Sequence, residues 1–278
     1  MYRSFVQCAE EAARKAGALI KEKIGQASEI REKTSASDLV TEVDKASQEI
    51  IEKHVLSVFP QHTILGEEDV APGAYASVEA LEKARKAEYL WIIDPIDGTT
   101  NFIHAFPFCC VSIALAHRGE VIAGVVYDPV RDELFRAVRG EGATCNGKPL
   151  RVSAEDRLEN ALLAGGFAGE PEGARKTNLR GLMALVPHVR SIRTAGSAAL
   201  HLAYVAAGRL SGFWEIDLNA WDLAAGCLLV QEAGGQVTDT AGNAYTLAVR
   251  HVLATNGRIH QDVLHILKES EATGFESS

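Results

Sequence analysis

Apolar residues near the start of the chain recur every three to four positions. Phe5, Cys8 or Ala9, Ala12, Ala16, Leu19 and Ile20, with Glu and Lys between them, predict an amphipathic helix that stops at Gly25. The spacing returns at Ala46, Ile50, Ile51, Val55 and Val58 and predicts a second helix from about Asp44 to Val58, with Pro60 just beyond its end. A brief apolar piece, Thr63-Ile64-Leu65, then delivers Gly66-Glu67-Glu68-Asp69. Residues 69–76 read as a loop and 77–86 as a short charged helix. From Tyr89 the pattern changes. Residues 89–93 form an unbroken apolar run, as in a strand buried on both faces. Runs at 108–116, 121–127 and 133–138 follow at turn-length separations and predict an antiparallel meander. Asn146-Gly147 is a hairpin-grade turn and divides the chain into halves 1–145 and 146–278.

The second half alternates. Short apolar runs at 161–164, 189–192, 212–215 and 252–254 are separated by helical stretches near 175–186, 197–207, 221–233 and 257–269. Strand and helix in alternation imply a mostly parallel sheet with covering helices, hence an α/β fold. No repeat, low-complexity tract or flexible linker interrupts the pattern, so residues 1–278 are expected to form a single compact, rigid unit.

Composition narrows the function without naming it. Hydrophobic residues make up 47% and charged residues 23%, a globular mix with no sign of disorder. The net charge of −9, from 37 acids against 28 Lys plus Arg, argues against nucleic acid as a direct partner, which needs a concentrated basic face. Five cysteines, an odd number without CxxC spacing, fit reduced core thiols better than a disulfide frame. No apolar stretch is long enough to span a bilayer and the first residues are no signal peptide, so a cytoplasmic location is expected.

The segment Trp91-Ile-Ile-Asp94-Pro95-Ile96-Asp97-Gly98-Thr99-Thr100-Asn101-Phe102 carries most of the chemistry. A strand expected to end at Asp94 sets this carboxylate at the edge where open sheets commonly bind ligands. Pro95 is expected to force a turn that brings Asp97 back beside it. Gly98 permits close approach of another group to the backbone, and Thr99-Thr100 open a short helix whose free N–H groups favour an anion. Two carboxylates beside such a nest suit a bridging divalent cation, because hard cations prefer oxygen. Asp-Pro and Asp-Gly are also ordinary turn signals, so a capped strand-to-helix turn without chemistry stays open. Glu67, Glu68 and Asp69 read either as a solvated loop or as the source of a third ligand, Glu67 first. Asp222, in the first turn of the apolar helix WDLAAGCLLVQEAGG, is either a cap or a carboxylate contributed by the second half.

GEED, WIIDPIDGTTNF and WDLAAGCLLVQEAGG, in this order and spacing, together resemble the inositol monophosphatase family, and so does the earlier run from Lys33 through Asp38 to Asp44. The resemblance covers nearly the whole chain. It implies an αβαβα sandwich of the sugar-phosphatase type, with an antiparallel N-terminal sheet and a mostly parallel C-terminal one. Glu67, Asp94, Asp97, Asp222 and the Ile96 carbonyl are implied as ligands of two or three Mg²⁺ ions. Thr99 and Asp44 are implied to position the attacking water, with Glu67 as proton acceptor. Gly98 and Thr99 would hold phosphate, and Ala198, Glu215 and Lys33 would lie against the substrate. Asp69 departs from the small hydroxyl residue many relatives carry there, and is expected to add negative charge near the metals.

The activity so implied is Mg²⁺-dependent, lithium-sensitive hydrolysis of a small phosphomonoester, myo-inositol monophosphate first, by a cytoplasmic homodimer. Within the same superfamily, fructose 1,6-bisphosphate, a nucleotide or histidinol phosphate is the rival substrate. From a different class comes a regulatory partner of the transcription machinery, a role some bacterial relatives have. No serine or cysteine nucleophile is needed, and His104 has no assigned role.

Overall fold

The computed structural model describes residues 2–33, 39–167 and 173–274. The middle of the 33–44 motif, Asp38 included, lies outside the described residues. Both N-terminal amphipathic stretches form helices, α1 (Arg3–Lys23) and α2 (Glu42–Val58). The alanine-rich buried face of α1 (Ala9, Ala12, Ala13, Ala16) lets it pack closely on α2, whose own buried face carries Val43, Ile51 and Val55. Helix α2 begins earlier than its apolar pattern because Thr41 caps it. The Thr41 side chain accepts the Val43 N–H at 3.1 Å while the Asp44 carboxylate accepts the Thr41 N–H at 2.8 Å, a reciprocal capping box. Between the helices lies an antiparallel hairpin, β1 (Ile30–Glu32) and β2 (Leu39–Thr41), too short and too exposed in β1 to show an alternating pattern.

Strand β3 (Thr63–Gly66) passes through one 3₁₀ turn (Glu67–Asp69) to α3 (Ala74–Ala84). Then come β4 (Tyr89–Asp97), the short α4 (Thr99–Ile103), β5 (Cys110–His117), β6 (Glu120–Asp128), β7 (Glu133–Val138), β8 (Gly142–Cys145) and β9 (Lys148–Pro149). These seven strands lie in chain order in one sheet, antiparallel except for the parallel β3–β4 pair. Asn146 and Gly147, both at positive φ (47° and 78°), form the predicted turn between β8 and β9, so the first sheet runs on to Pro149.

One local expectation is corrected. Pro95 makes no turn: β4 continues through Asp97 and takes up the extra residue as a β-bulge. Asp94 pairs with Ser112 and Asp97 with Cys110, three steps on β4 against two on β5. A bulge is where a strand tolerates proline, which has no N–H for the ladder.

The second half supplies β10 (Leu162–Gly165), α5 (Gly173–Leu185), β11 (Ser191–Arg193), α6 (Ala198–Ala206), β12 (Gly212–Ile216), α7 (Ala220–Glu232), β13 (Gln236–Asp239), β14 (His251–Thr255) and α8 (His260–Glu269). The sheet order is β11-β10-β12-β14-β13. Four strands point the same way, and β14 is inserted reversed between β12 and β13. It has to be reversed, because it follows β13 without a crossover helix.

Three apolar clusters set the layers. One joins α1 and α2 to Trp91, Ile93, Val111, Ile113 and Val125 on one face of the first sheet. The second buries α6 and α7 between the opposite face of that sheet (Leu90, Ile92, Ala114, Val126) and Ala164, Phe213 and Ala254 of the second sheet. The third packs α5 and α8 on Leu163, Trp214 and Leu253. The result is the expected αβαβα sandwich. Helix α7 lies so close to β6 that a Cβ on Gly124 would stand 2.9 Å from Ala225 Cα. That contact fixes where the N-terminus of α7 arrives.

Candidate active site

Register brings the acids together. Gly66 of β3 pairs with Ile93 of β4, so Glu67 emerges beside Asp94 and their side chains hydrogen-bond. Asp94 pairs with Ser112 on its other side, and the Ser112 hydroxyl donates to the Trp221 carbonyl at 3.1 Å. Asp222, the next residue, is thereby set in the first turn of α7 with its carboxylate accepting the Asn219 N–H at 2.6 Å. It is both cap and inward-facing acid, so the two sequence readings were not exclusive. Asp97 returns on the far side of the bulge, while Asp94 Oδ1 accepts the Ile96 N–H across it at 3.0 Å.

Asp94, Asp97 and Asp222 each present a carboxylate oxygen, and the three oxygens lie within 4.8 Å of one another. Like charges at such range in a dry setting are costly. Burial, then the charges of Glu67, Asp97 and Asp222, holds the Asp94 carboxyl well above its usual range. Burial, then Asp97 and Glu67, does the same to Asp222. Asp97 is pushed up to about 6 by burial, against hydrogen bonds from Ser197, Ala199 and Ala198 that favour its charged form. A converging set of oxygen donors that repel one another is what a hard divalent cation neutralises, so these residues fit Mg²⁺.

Lys33 pairs with the acids that follow β3, with Nζ 2.8 Å from Glu67 Oε1 and 3.0 Å from Glu68 Oε1. Burial alone would lower its pKa, but the two carboxylates hold it well above the usual lysine range. Glu68 in turn is pushed up to about 7 by burial and by Glu67. Asp69 does not face the cluster. It is exposed and hydrogen-bonds Glu52, whose pKa rises through burial first and this neighbour second. The expected extra charge near the metals is thus turned away, because the 3₁₀ turn points successive side chains about 120° apart.

Thr99 and Asp44, the pair expected to position water, are brought into contact. The Thr99 hydroxyl lies 3.1 Å from Asp44 Oδ1 and 3.2 Å from the Ile96 carbonyl. Asp44 is almost wholly buried and pushed up to about 6, by burial first, against hydrogen bonds from Thr41. Gly98 precedes α4 with φ +99°, and a Cβ there would meet the Phe108 and Gly196 carbonyls at 3.0 and 3.1 Å.

A cavity of about 420 Å³ opens over this floor. Glu67, Asp97, Gly98, Thr99, Ala198, Glu215 and Asp222 line it, whereas Lys33, Asp44, Asp94 and Ile96 are not part of its wall. Burial, then the Asp222 and Asp97 charges, holds Glu215 well above its usual range. The rim carries Arg250, which pairs with Asp217 and with Asn219 Oδ1 and so steadies the turn that caps α7. Sequence reading passed over Ser197, Asn219 and Arg250. The Ser197 signal was there, a serine directly before an apolar helix, but a cap reveals nothing of a second partner. Cys109 and Cys110 are free and buried, in keeping with a core role.

Known proteins of similar sequence and fold point to one family. Residues 1–272 match the model of the "Inositol monophosphatase family". The chain is 44% identical over 269 residues to inositol monophosphatase 2 of Solanum lycopersicum, covering 96% of this chain and 99% of that one. It is 45% identical over 256 residues to the Nus factor SuhB of Pseudomonas aeruginosa, covering 91% and 92%. Among solved structures, the extragenic suppressor protein suhB of Bartonella henselae superposes with a TM-score of 0.85 at 39% identity, covering 96% and 99%.

Proposed function

The chain belongs to the inositol monophosphatase family and is a phosphomonoester hydrolase, and we propose that its reaction is the Mg²⁺-dependent hydrolysis of myo-inositol monophosphate by water. The observation that carries the metal part of this reading is the triad of Asp94, Asp97 and Asp222 oxygens within 4.8 Å of one another, of which Asp97 and Asp222 line the cavity. Asp94, Asp97, Asp222, Glu67 and the Ile96 carbonyl would hold the two or three ions. Mg²⁺ there supplies charge neutralisation and acidifies water. The chain does the rest by positioning, the dominant need in phosphoryl transfer.

The Thr99 hydroxyl, with its hydrogen directed at Asp44, offers a lone pair to the attacking water, and Glu67 accepts the proton. The N–H groups of Gly98 and Thr99 face the phosphate. Glu215, seven residues before Asp222 on the cavity wall, accepts from ring hydroxyls beside Ala198, which favours a polyol. Lys33, paired here with Glu67 and Glu68, is the cation that would be available to the phosphate if Glu67 served as a metal ligand. The two halves, 1–145 and 146–278, act as one catalytic unit, since ligands come from both. The family resemblance adds lithium inhibition, a homodimer and a cytoplasmic setting; no helix of the described residues is long and apolar enough to cross a membrane.

A panel of phosphomonoesters assayed with Mg²⁺ tests the substrate. Inositol monophosphate should give the highest kcat/KM; a preference for fructose 1,6-bisphosphate, histidinol phosphate or a nucleotide removes the inositol reading. A relative named as a Nus factor supports a second reading, a partner of the transcription machinery. Capture of transcription proteins by both the wild type and Asp97→Asn would establish it as separate from catalysis.

A further inference from the structure

Asp97 arrives from the first half of the chain, yet its carboxylate is gripped by the second. Ser197, the N-cap of α6, donates its hydroxyl to Asp97 Oδ2 at 2.6 Å. The Ala199 N–H donates to the same oxygen at 2.7 Å, and the Ala198 N–H reaches Oδ1 at a long 3.3 Å. The Cys110 thiol fills the remaining side, 3.8 Å from Oδ2 and 3.7 Å from Ser197 Oγ. Ser197 is 2% exposed, so bulk water does not compete for this contact. The joint around this contact is tight. The Asn101 amide donates to the Phe108 and Ala195 carbonyls at 2.7 Å each, and Gly98 leaves no room for a Cβ beside the Gly196 carbonyl.

A carboxylate oxygen has two good lone-pair directions. Oδ2 spends both, on Ser197 and Ala199, whereas Oδ1 keeps one free. We propose that Ser197 is a positioning residue for the metal centre, holding Asp97 so that Oδ1 is the oxygen offered to the cation. The assignment rests on the reading of Asp97 as a metal ligand. The cap role alone does not account for the contact. A cap has only to accept, and Ser197 Oγ does accept from Leu200 N at 3.4 Å, while its single hydrogen goes to a residue one hundred positions earlier.

Glycine caps a helix almost as well as serine but has no hydroxyl to give, so Ser197→Gly separates the two roles. Mn²⁺ affinity of the metal-free protein is measured by titration calorimetry beside the melting temperature, for wild type, Ser197→Gly, Ser197→Thr and Asp97→Asn. Ser197→Gly should keep a near-native melting temperature and bind Mn²⁺ about 10- to 100-fold more weakly, the usual cost of losing a partner that orients a ligand. Ser197→Thr, which keeps the hydroxyl, should restore affinity. Unchanged Mn²⁺ binding in Ser197→Gly, or equal weakening in Ser197→Thr, overturns the assignment. Unchanged binding in Asp97→Asn would overturn the metal reading of Asp97 itself, a separate result.

Discussion

At the scale of single residues, the acids of the site are better suited to a cation than to each other. Asp94 shows this most clearly, being buried and facing Glu67, Asp97 and Asp222. Asp94→Asn keeps the shape, removes one charge and removes a ligand. Turnover should therefore fall by roughly 10²–10³ or more, on the scale of losing a preorganised electrostatic contact. The metal-free variant should melt no lower than metal-free wild type, because repulsion has been relieved; near-normal turnover would remove Asp94 from the ligand set. The carboxylates were legible in the sequence because each sits at a bulge or an element boundary marked by its own punctuation: Asp-Pro, Asp-Gly, or a tryptophan opening an apolar helix. The orientation of Asp69 was not, since a run of three acids does not say which way a 3₁₀ turn will face them.

At the scale of elements, the site depends on how closely helices approach the sheets. Periodicity located α1, α2, α6 and α7 well, and it placed the meander. It could not show the bulge at Pro95, because a proline that ends a strand and one absorbed within it look alike in sequence. Nor could it show β1, β9 or β13, which are too short for a pattern. Close approach is legible only as small residues, and Gly124 against Ala225 is the case with most consequence. Gly124→Ala inserts a methyl where 2.9 Å is available and should cost about 1–3 kcal/mol, read as a lowered urea midpoint. It should also weaken Mg²⁺ binding, because α7 carries Asp222. A midpoint equal to wild type would show that α7 can shift freely, against the packing described.

At the scale of the whole molecule, the folded chain stores like charge that the unfolded chain does not. Asp44 and Asp97 are raised from 3.8 to about 6 and Glu68 from 4.5 to about 7, and burial holds Asp94, Asp222 and Glu215 well above the usual carboxylate range. The folded state thus binds more protons than the unfolded one from about pH 4 upward, so these groups lower stability as pH rises. His201 and His260, lowered by burial from 6.5 to about 4, act oppositely but only below 6.5. Above that pH the carboxylates are unopposed. The metal-free protein should lose melting temperature between pH 6.5 and 8, and saturating Mg²⁺ should largely abolish the slope; a flat metal-free profile would contradict the charge account. The reversed β14 belongs to this scale as well. Alternation of strand and helix predicted the sheet, but a strand returning without a helix is a matter of topology that local patterns do not carry.

The central claim, that carboxylates from both halves meet around divalent metal, is tested most directly by anomalous diffraction from crystals grown with Mn²⁺ and inorganic phosphate. The account predicts manganese peaks among Asp94, Asp97, Asp222 and Glu67, with phosphate against the Gly98–Thr99 amides. Manganese bound elsewhere, with that carboxylate floor empty under conditions where the enzyme turns over, would contradict it.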